Sequence, residues 1–267
     1  MNKSSQGLIG FQGGARLRGQ LKTAKPGRPL ISVITVVKNG AGTLERAIGS
    51  VLAQRYAPLE YVVCDGGSRD GTLELLRRYD SRIDYWYSQA DAGLYEAMNL
   101  AVQMARGEWL LFLGADDTLQ PGFSLAAEQC LVPNTIYYGD VFMPRRKRRY
   151  DGQFSAGKLA RKNICHQSIF YPRAVFDNYQ FDPRYRVLAD WVLNMRCRSD
   201  AEFRFQYVPA VIAEFNDSTG VSSRLRDREF QRDYLGLVYA NFSLFIFLRR
   251  LVSRTLSWPL RVVGLLR

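Results

Sequence analysis

The sequence predicts an α/β protein built on a mostly parallel sheet with helices on both faces. Leu30–Val37 is β-branched and almost wholly apolar, which is typical of a strand buried on both sides. Between Pro29 and Asp117, short apolar runs alternate with segments whose apolar residues recur at helical spacing. Two of these apolar runs end in acidic residues, and ligands bind at that end of the strands in open α/β sheets.

The first half of the chain gives a regular strand and helix pattern. Thr43 is a suitable N-cap for a helix in which Leu44, Ala47, Ile48, Val51 and Leu52 share one face. We predict strands at Leu30–Val37, Glu60–Asp65, Ile83–Ser88 and Glu108–Leu113, with further helices after Thr72 and around 94–105. This βαβαβαβ order indicates parallel strands joined by crossover helices.

The second half is less regular. We predict helices at Pro121–Leu131 and Ala189–Cys197, a strand at Thr135–Met143, and an extended segment at Phe203–Phe215. The predicted organisation is a disordered basic tail over 1–28, one domain over 29–223 and a basic amphipathic helical extension over 224–267. The four cysteines are far apart in sequence and lack metal-binding spacing, which favours reduced thiols and a cytosolic protein.

The net charge of +12 is concentrated in three segments. Residues 1–28 hold six Lys or Arg and no acid, residues 145–149 hold five, and residues 224–267 hold nine Arg against three acids. The remainder of the chain is therefore net negative. A protein that binds nucleic acid through its main domain would carry the basic residues there, so the pattern favours a membrane surface over nucleic acid.

The acids at the strand ends are the candidate binding groups. Asp65 is followed by Gly66 and Gly67, which allow backbone to approach a ligand, and its carboxylate can accept hydrogen bonds from a base or a ribose. A tight turn with a solvated Asp is the simpler alternative. Adjacent Asp116 and Asp117 repel each other, and Mg²⁺ or Mn²⁺ would relieve that repulsion. Helix capping ahead of Pro121 is the alternative there.

Four segments together resemble the family 2 glycosyltransferases. They are Ile31–Asn39, Asp65–Thr72, Asp91–Asn99 and Gly114–Asp117, and the similarity extends over about Pro29 to Ser223. The resemblance implies the GT-A fold and inverting transfer from a nucleotide-diphosphate sugar. It is strongest to bacterial enzymes that assemble exopolysaccharide or O-antigen units, including those of colanic-acid-type clusters.

The resemblance also implies roles for individual residues. The nucleotide would be bound by Val37, Asn39, Asp65, Asp91, Ala115 and Asp116, with uracil as the usual base at Asp65. Asp116 occupies the last position of the family's Asp-x-Asp motif and would bind Mg²⁺ or Mn²⁺. Gly114 stands where many members have the first Asp, so Asp117 is a second candidate metal ligand.

Asp190 and His166 are the remaining candidates. Ala189-Asp190-Trp191 resembles the family's catalytic-base segment, so Asp190 would take the proton of the acceptor hydroxyl. A helix N-cap is the alternative for Asp190, and a place in the core is the alternative for Trp191. His166 would contact the metal or the diphosphate, with a structural histidine as the alternative.

The C-terminal extension is too short in apolar sequence to cross a membrane comfortably. Leu235–Leu248 is uncharged over 14 residues, against about 20 for a spanning helix. The arginines that follow give an amphipathic pattern suited to a membrane interface, or to packing on the enzyme or in a dimer. The resemblance implies an undecaprenyl-diphosphate-linked saccharide acceptor at the inner face of the cytoplasmic membrane. An inactive scaffold subunit of a polysaccharide assembly complex is the alternative function.

Overall fold

The structure is a computed structural model that describes residues 10–130, 132–218 and 226–262. Its strands are β1 (Phe11–Gly13), β2 (Ile31–Val37), β3 (Leu59–Asp65), β4 (Tyr85–Ser88), β5 (Trp109–Phe112), β6 (Thr118–Leu119), β7 (Thr135–Met143), β8 (Arg148–Tyr150), β9 (Ile169–Pro172) and β10 (Arg204–Glu214). Its helices are α1 (Leu44–Leu52), α2 (Thr72–Arg78), α3 (Leu94–Met104), α4 (Gly122–Ala127), α5 (Ala156–Leu159), α6 (Ala174–Asn178), α7 (Ala189–Ser199), α8 (Arg228–Asn241) and α9 (Leu244–Val262).

The ten strands form one sheet in the order β1-β4-β3-β2-β5-β9-β7-β10-β6, with β8 paired to β7. Strands β4, β3, β2 and β5 are parallel to their neighbours, as the alternating sequence pattern predicts. β9 is antiparallel to both β5 and β7, so β7 and its parallel partner β10 run in the same direction as the first four. The carboxyl ends of six strands therefore meet at one edge of the sheet.

Helices cover both faces of the sheet, which confirms the predicted layers. α1, α2 and α4 pack on one face through a core that includes Ile48, Leu76 and Phe123. α3, α7 and α8 pack on the other face around Met98 and Leu193. All four cysteines lie within the described ranges and are free thiols.

The segment from residue 10 to residue 28 is ordered, contrary to the predicted disorder of 1–28. β1 pairs antiparallel with β4 at the sheet edge. Arg16 donates to the carbonyl of Met104 at 2.7 Å and pairs with buried Glu60 at 3.3 Å. The composition of this segment suggested a solvated tail because it contains basic residues and no acid. The acidic residues that pair with it lie far away in the sequence, and no local pattern identifies them. Residues 1–9 lie outside the described residues.

Besides β1, three further short strands were not predicted. β6 has two residues and β8 has three, which is too short for an alternating pattern to develop. β9 is the more important omission because it lies between β5 and β7 and joins the two halves of the sheet. Its four buried residues follow directly after a 3-10 turn at His166–Ser168, so the sequence offers no separate boundary for it.

The helical extension packs on the main body of the fold. α8 runs alongside α7, since Asp227 accepts from the backbone of Val187 and Leu188 at one end and Ser199 contacts Asn241 at the other. α9 then returns along α8, and the Arg254 side chain reaches the carbonyl of Gln231. Among the described residues, no helix combines the length and the apolar character needed to cross a bilayer.

Candidate active site

A cleft of about 530 Å³ opens at the sheet edge where the carboxyl ends of the parallel strands meet. The segments that follow β2, β4, β5 and β10 and the 3-10 turn before β9 form its walls. Most of the residues predicted for the site line it: Val37, Asn39, Asp91, Ala115, Asp116, Asp117 and His166. The strand-end position therefore brings together groups that are more than 120 residues apart in sequence.

Asp65 lies at the end of β3 but behind the cleft wall, with 1% of its surface exposed. Its carboxylate accepts hydrogen bonds from the hydroxyl and the N–H of Ser68 and from the hydroxyl of Ser88 at 2.6 Å. The Ser68 hydroxyl also accepts from the backbone N–H of Asn39 at 2.6 Å. Asp65 therefore fixes two loops of this wall in addition to any ligand contact.

Asp91 faces the cleft beside the Gly66 backbone. A Cβ atom at Gly66 would lie 2.3 Å from Oδ2 of Asp91, so no other residue fits there without moving that carboxylate. Burial raises the pKa of Asp91, and the nearby Lys38 ammonium, 3.9 Å from Oδ1, opposes that shift. The cleft thus has a partly desolvated carboxylate with a lysine next to it, and sequence inspection did not single out Lys38.

The two adjacent acids after β5 have different environments. Asp116 lines the cleft and accepts from the Asn216 side chain at 3.0 Å. Asp117 is 2% exposed, and its oxygens accept from the Asn216 N–H at 2.7 Å and the Gln167 amide at 2.8 Å. Burial and the neighbouring Asp116 charge raise the pKa of Asp117 to about 6. Asp117 therefore holds Gln167 and Asn216 in place, and Asp116 is the better placed of the two for a cation.

The residues present fit a divalent cation that is coordinated partly by the protein and partly by a substrate. Among the described residues, no three His, Cys, Asp or Glu side chains lie close enough together to hold an ion by themselves. Mg²⁺ commonly uses one or two carboxylates and completes its shell with water and substrate phosphate oxygens. Asp116 can supply the carboxylate, and His166 also lines the cleft.

Asp190 lies in the first turn of α7, directly behind the cleft, with 5% of its surface exposed. Four groups contact its carboxylate: the Tyr95 hydroxyl at 3.0 Å, the Trp191 N–H at 2.9 Å, the Asn163 amide at 2.8 Å and Nδ1 of His166 at 3.2 Å. Tyr95 and His166 both line the cleft, so they separate the carboxylate from it. The contact with His166 is the longest of the four.

Sequence inspection missed several residues that hold these acids in place. Asn216 lies two residues after the end of β10, so a polar residue near a strand end was the available signal. Asn163 precedes β9, which was not predicted, and it gave no signal of its own. Trp191 stacks on Phe230 with ring centroids 4.8 Å apart, as the core alternative predicted. The segment Gly220–Ser223 resembles a loop near the acceptor side of family 2 glycosyltransferases, and it lies outside the described residues.

Two solved glycosyltransferase structures share the fold of this chain. The mannosyltransferase PcManGT from Pyrobaculum calidifontis, solved with GDP-Man and Mn²⁺, superposes with a TM-score of 0.60 at 17% identity over 92% of this chain and 87% of that one. TarS of Staphylococcus aureus, solved with UDP-GlcNAc, gives 0.57 at 15% identity over 79% and 67%.

Sequence comparison gives the family. The model of glycosyl transferase family 2 matches residues 32–176. A PGL/p-HBAD biosynthesis glycosyltransferase of Mycobacterium bovis is 37% identical over 211 residues, covering 76% of this chain and 82% of the relative. An uncharacterised glycosyltransferase of Mycobacterium tuberculosis is 41% identical over 206 residues, covering 73% and 78%. The chain belongs to glycosyltransferase family 2 and is a glycosyltransferase.

Proposed function

We propose that the protein transfers a sugar from a nucleotide-diphosphate sugar, with uridine as the nucleoside, to a lipid-linked saccharide with inversion at the anomeric carbon. The observation that supports this best is the arrangement of three carboxylates around one cleft. Asp91 faces the cleft after β4 and Asp116 faces it after β5, and Asp190 lies behind Tyr95 and His166 on another wall. In this proposal Asp91 serves the nucleotide, Asp116 serves the cation and Asp190 serves the acceptor hydroxyl.

The donor binds along the wall formed by the segments after β2, β4 and β5. Val37, Asn39, Asp91 and Ala115 line that wall and contact the nucleotide, and Asp65 serves the base site from directly behind it. Asp116, with His166, would hold the cation. When bound, Mg²⁺ or Mn²⁺ neutralises the charge that develops on the leaving nucleoside diphosphate. Gln167 and Asn216 keep the acidic pair in position through their hydrogen bonds to Asp117 and Asp116.

Asp190 is the catalytic base in this proposal. The acceptor hydroxyl displaces the 3.2 Å contact of His166 and donates its hydrogen bond to Asp190. As the oxygen attacks the anomeric carbon, its proton passes to the carboxylate. The bond to the diphosphate breaks, and its electron pair leaves with the nucleotide. Contacts at a catalytic base often rearrange when substrate binds, so the four contacts seen here are compatible with this role.

The acceptor is reached at the inner face of the cytoplasmic membrane, where α9 binds the lipid surface. Exposed apolar side chains on α9 support this: Leu244, Phe245 and Leu248 are 62%, 73% and 47% exposed. Arg249 beside them is exposed, whereas Arg250 and Arg254 hydrogen-bond back to α8, and α9 contains no acid. Apolar residues beside arginines suit an anionic bilayer interface. The resemblance to exopolysaccharide and O-antigen enzymes supports an undecaprenyl-diphosphate-linked acceptor, whereas the M. bovis relative is named for PGL/p-HBAD biosynthesis.

Release of nucleotide from candidate donors tests the proposal. The purified protein is incubated with UDP-glucose, UDP-galactose, UDP-N-acetylglucosamine and GDP-fucose in turn, with a polyprenyl-linked saccharide extract, with Mn²⁺ and then with EDTA. We expect release of UDP that stops with EDTA. Absence of release from every donor, together with absence of nucleotide binding, would contradict the proposal and favour an inactive scaffold subunit.

We expect Gly66→Ala to weaken nucleotide binding about tenfold while leaving the fold intact. The new methyl group has to displace the Asp91 carboxylate, and a hydrogen bond to a charged group contributes about 1.5–3 kcal/mol. Calorimetric titration with UDP and Mn²⁺ measures the loss. Gly42→Ala is the matched control because a Cβ atom there meets nothing within 4 Å. Equal affinities for the two variants would exclude Asp91 from the nucleotide site.

We expect the double variant Phe245→Ser, Leu248→Ser to bind anionic vesicles at least about tenfold less than the wild type. Each substitution removes apolar area that would enter the interface, at about 25 cal/mol per Å². Flotation with phosphatidylglycerol vesicles measures the bound fraction. Leu125→Ser is the control, since Leu125 is 66% exposed but lies on α4. Unchanged flotation of the double variant would exclude α9 as the membrane contact.

A further inference from the structure

Five consecutive basic residues, Arg145–Arg149, occupy the turn after β7 and the first two positions of β8, and are here called the basic hairpin. All five are exposed. β7 and β8 are antiparallel partners, with Met143 opposite Arg148. The hairpin is thus a defined structural element, and the chemistry described so far gives it no role.

A three-residue segment after β10 ties the basic hairpin to the active site. Phe215 lines the cleft, and its N–H donates to the carbonyl of Phe142 in β7 at 2.9 Å. Asn216 binds both Asp116 and Asp117. Asp217 then accepts from the N–H of Arg145 at 3.0 Å. The residues that follow β10 therefore contact both the basic hairpin and the acidic pair.

The order of the strands places the basic hairpin on the far side of the acidic pair from the nucleotide wall. The nucleotide contacts lie mainly after β4 and β2, and the acidic pair follows β5. Beyond β5 come β9 and then β7, which carries the hairpin at the same edge of the sheet. An acceptor attacking opposite the nucleotide diphosphate approaches from this side.

The charge of the basic hairpin is largely uncompensated. Arg146 lies 3.6 Å from Oδ2 of Asp217, which is the one ion pair that the hairpin makes with the described residues. Nearby lysines behave differently, since Lys158 and Lys162 both pair with Asp151. Adjacent like charges raise the energy of a folded protein, and a bound anion lowers it again. Arginine forks match phosphate oxygens in particular.

We propose that the basic hairpin binds lipid phosphate on the acceptor side of the cleft. This inference rests on the proposed function, because it assumes that the acceptor is attached to a lipid. The phosphate belongs either to the anchor of the acceptor or to a head group of the surrounding bilayer. In both cases the hairpin orients the cleft toward the lipid surface and brings the acceptor hydroxyl toward Asp190.

The test compares two double variants of the full chain. Arg145→Gln, Arg148→Gln removes two charges from the hairpin. Arg55→Gln, Arg82→Gln removes two exposed charges from loops that enter β3 and β4, at the opposite edge of the sheet. Flotation is measured with three kinds of vesicle: phosphatidylcholine alone, phosphatidylcholine with phosphatidylglycerol, and phosphatidylcholine with undecaprenyl phosphate at equal negative charge.

We expect the hairpin variant to lose at least about tenfold in binding to vesicles that carry lipid phosphate charge, since each Lys or Arg near an anionic surface contributes about 1 kcal/mol. The control variant should lose less than about threefold. A loss confined to undecaprenyl phosphate vesicles assigns the phosphate to the acceptor anchor, and an equal loss with phosphatidylglycerol assigns it to the bilayer. Equal losses for the two variants would overturn the proposal.

Calorimetry with UDP and Mn²⁺ on the same preparations separates this inference from the proposed function. If UDP binding is intact in both variants and only the vesicle result fails, the hairpin inference is wrong and the transferase proposal stands. If UDP does not bind the wild type either, the proposed function itself is at fault.

Discussion

Replacing Asp190 with Asn is expected to lower kcat by about 10²- to 10⁴-fold, which is the usual contribution of a positioned general base. Asn keeps the size of the side chain, so it can still accept from Tyr95 and from the Trp191 N–H. It cannot take a proton from the acceptor hydroxyl. The measurement is the rate of glycosyl transfer at saturating donor and acceptor.

Donor binding distinguishes a catalytic role for Asp190 from a structural one. Because Asp190 lies behind the cleft, UDP affinity should stay within about threefold of wild type in Asp190→Asn. His166→Gln should reduce kcat less, since His166 covers the Asp190 carboxylate in the structure and does not take the proton in the proposed step. A kcat for Asp190→Asn within threefold of the wild-type value would exclude Asp190 as the base.

Replacing Asp116 with Asn is expected to abolish metal-dependent transfer, with a loss of about 10³-fold or more. Charge stabilisation by a bound cation is worth several kcal/mol in such reactions, and each 1.36 kcal/mol corresponds to a factor of ten. Asn216 can still donate to the remaining oxygen, which limits structural change. The measurement is the rate of UDP release as a function of Mn²⁺ concentration.

Asp117→Asn is the matched control for the cation site. Asp117 is buried and serves Asn216 and Gln167, so its replacement should lower thermal stability and leave the Mn²⁺ dependence in place. The opposite pattern, in which Asp117→Asn loses its response to Mn²⁺ and Asp116→Asn keeps it, would transfer the metal-ligand role to Asp117.

The first half of the fold was predictable because its elements have strong local signals. β2 is almost wholly apolar, and α1 begins and ends where the spacing of Leu44, Ile48 and Val51 predicts. Each strand is followed by its own crossover helix, so sequence order and spatial order are related by a simple rule.

β1 and β9 were not predictable because long-range contacts define them. β1 is held at the edge of the sheet by pairing with β4, and ion pairs to Glu60, Asp80 and Asp84 fix the segment that follows it. β9 exists because it fills the space between β5 and β7. A short stretch of sequence around β1 or β9 does not contain the strands with which it pairs.

The candidate site was predictable as a set of acids but not as an arrangement. Three of the predicted acids, Asp91, Asp116 and Asp117, line the cleft at the carboxyl ends of the strands. The burial of the individual acids could not be predicted from the local sequence. Asp65 and Asp190 resemble exposed turn and cap residues in sequence, yet both side chains are buried. The polar residues that support them, Asn163 and Asn216, come from distant elements.

The most direct test of the account is a calorimetric titration of the protein with UDP in the presence and absence of Mn²⁺. We predict that UDP binds at one site per chain and binds more tightly with Mn²⁺. Asp116→Asn should lose the effect of Mn²⁺, whereas Asp190→Asn should bind as the wild type does. Failure of the wild-type protein to bind either UDP or GDP with Mn²⁺ present would contradict the assignment of this cleft as a nucleotide-sugar site.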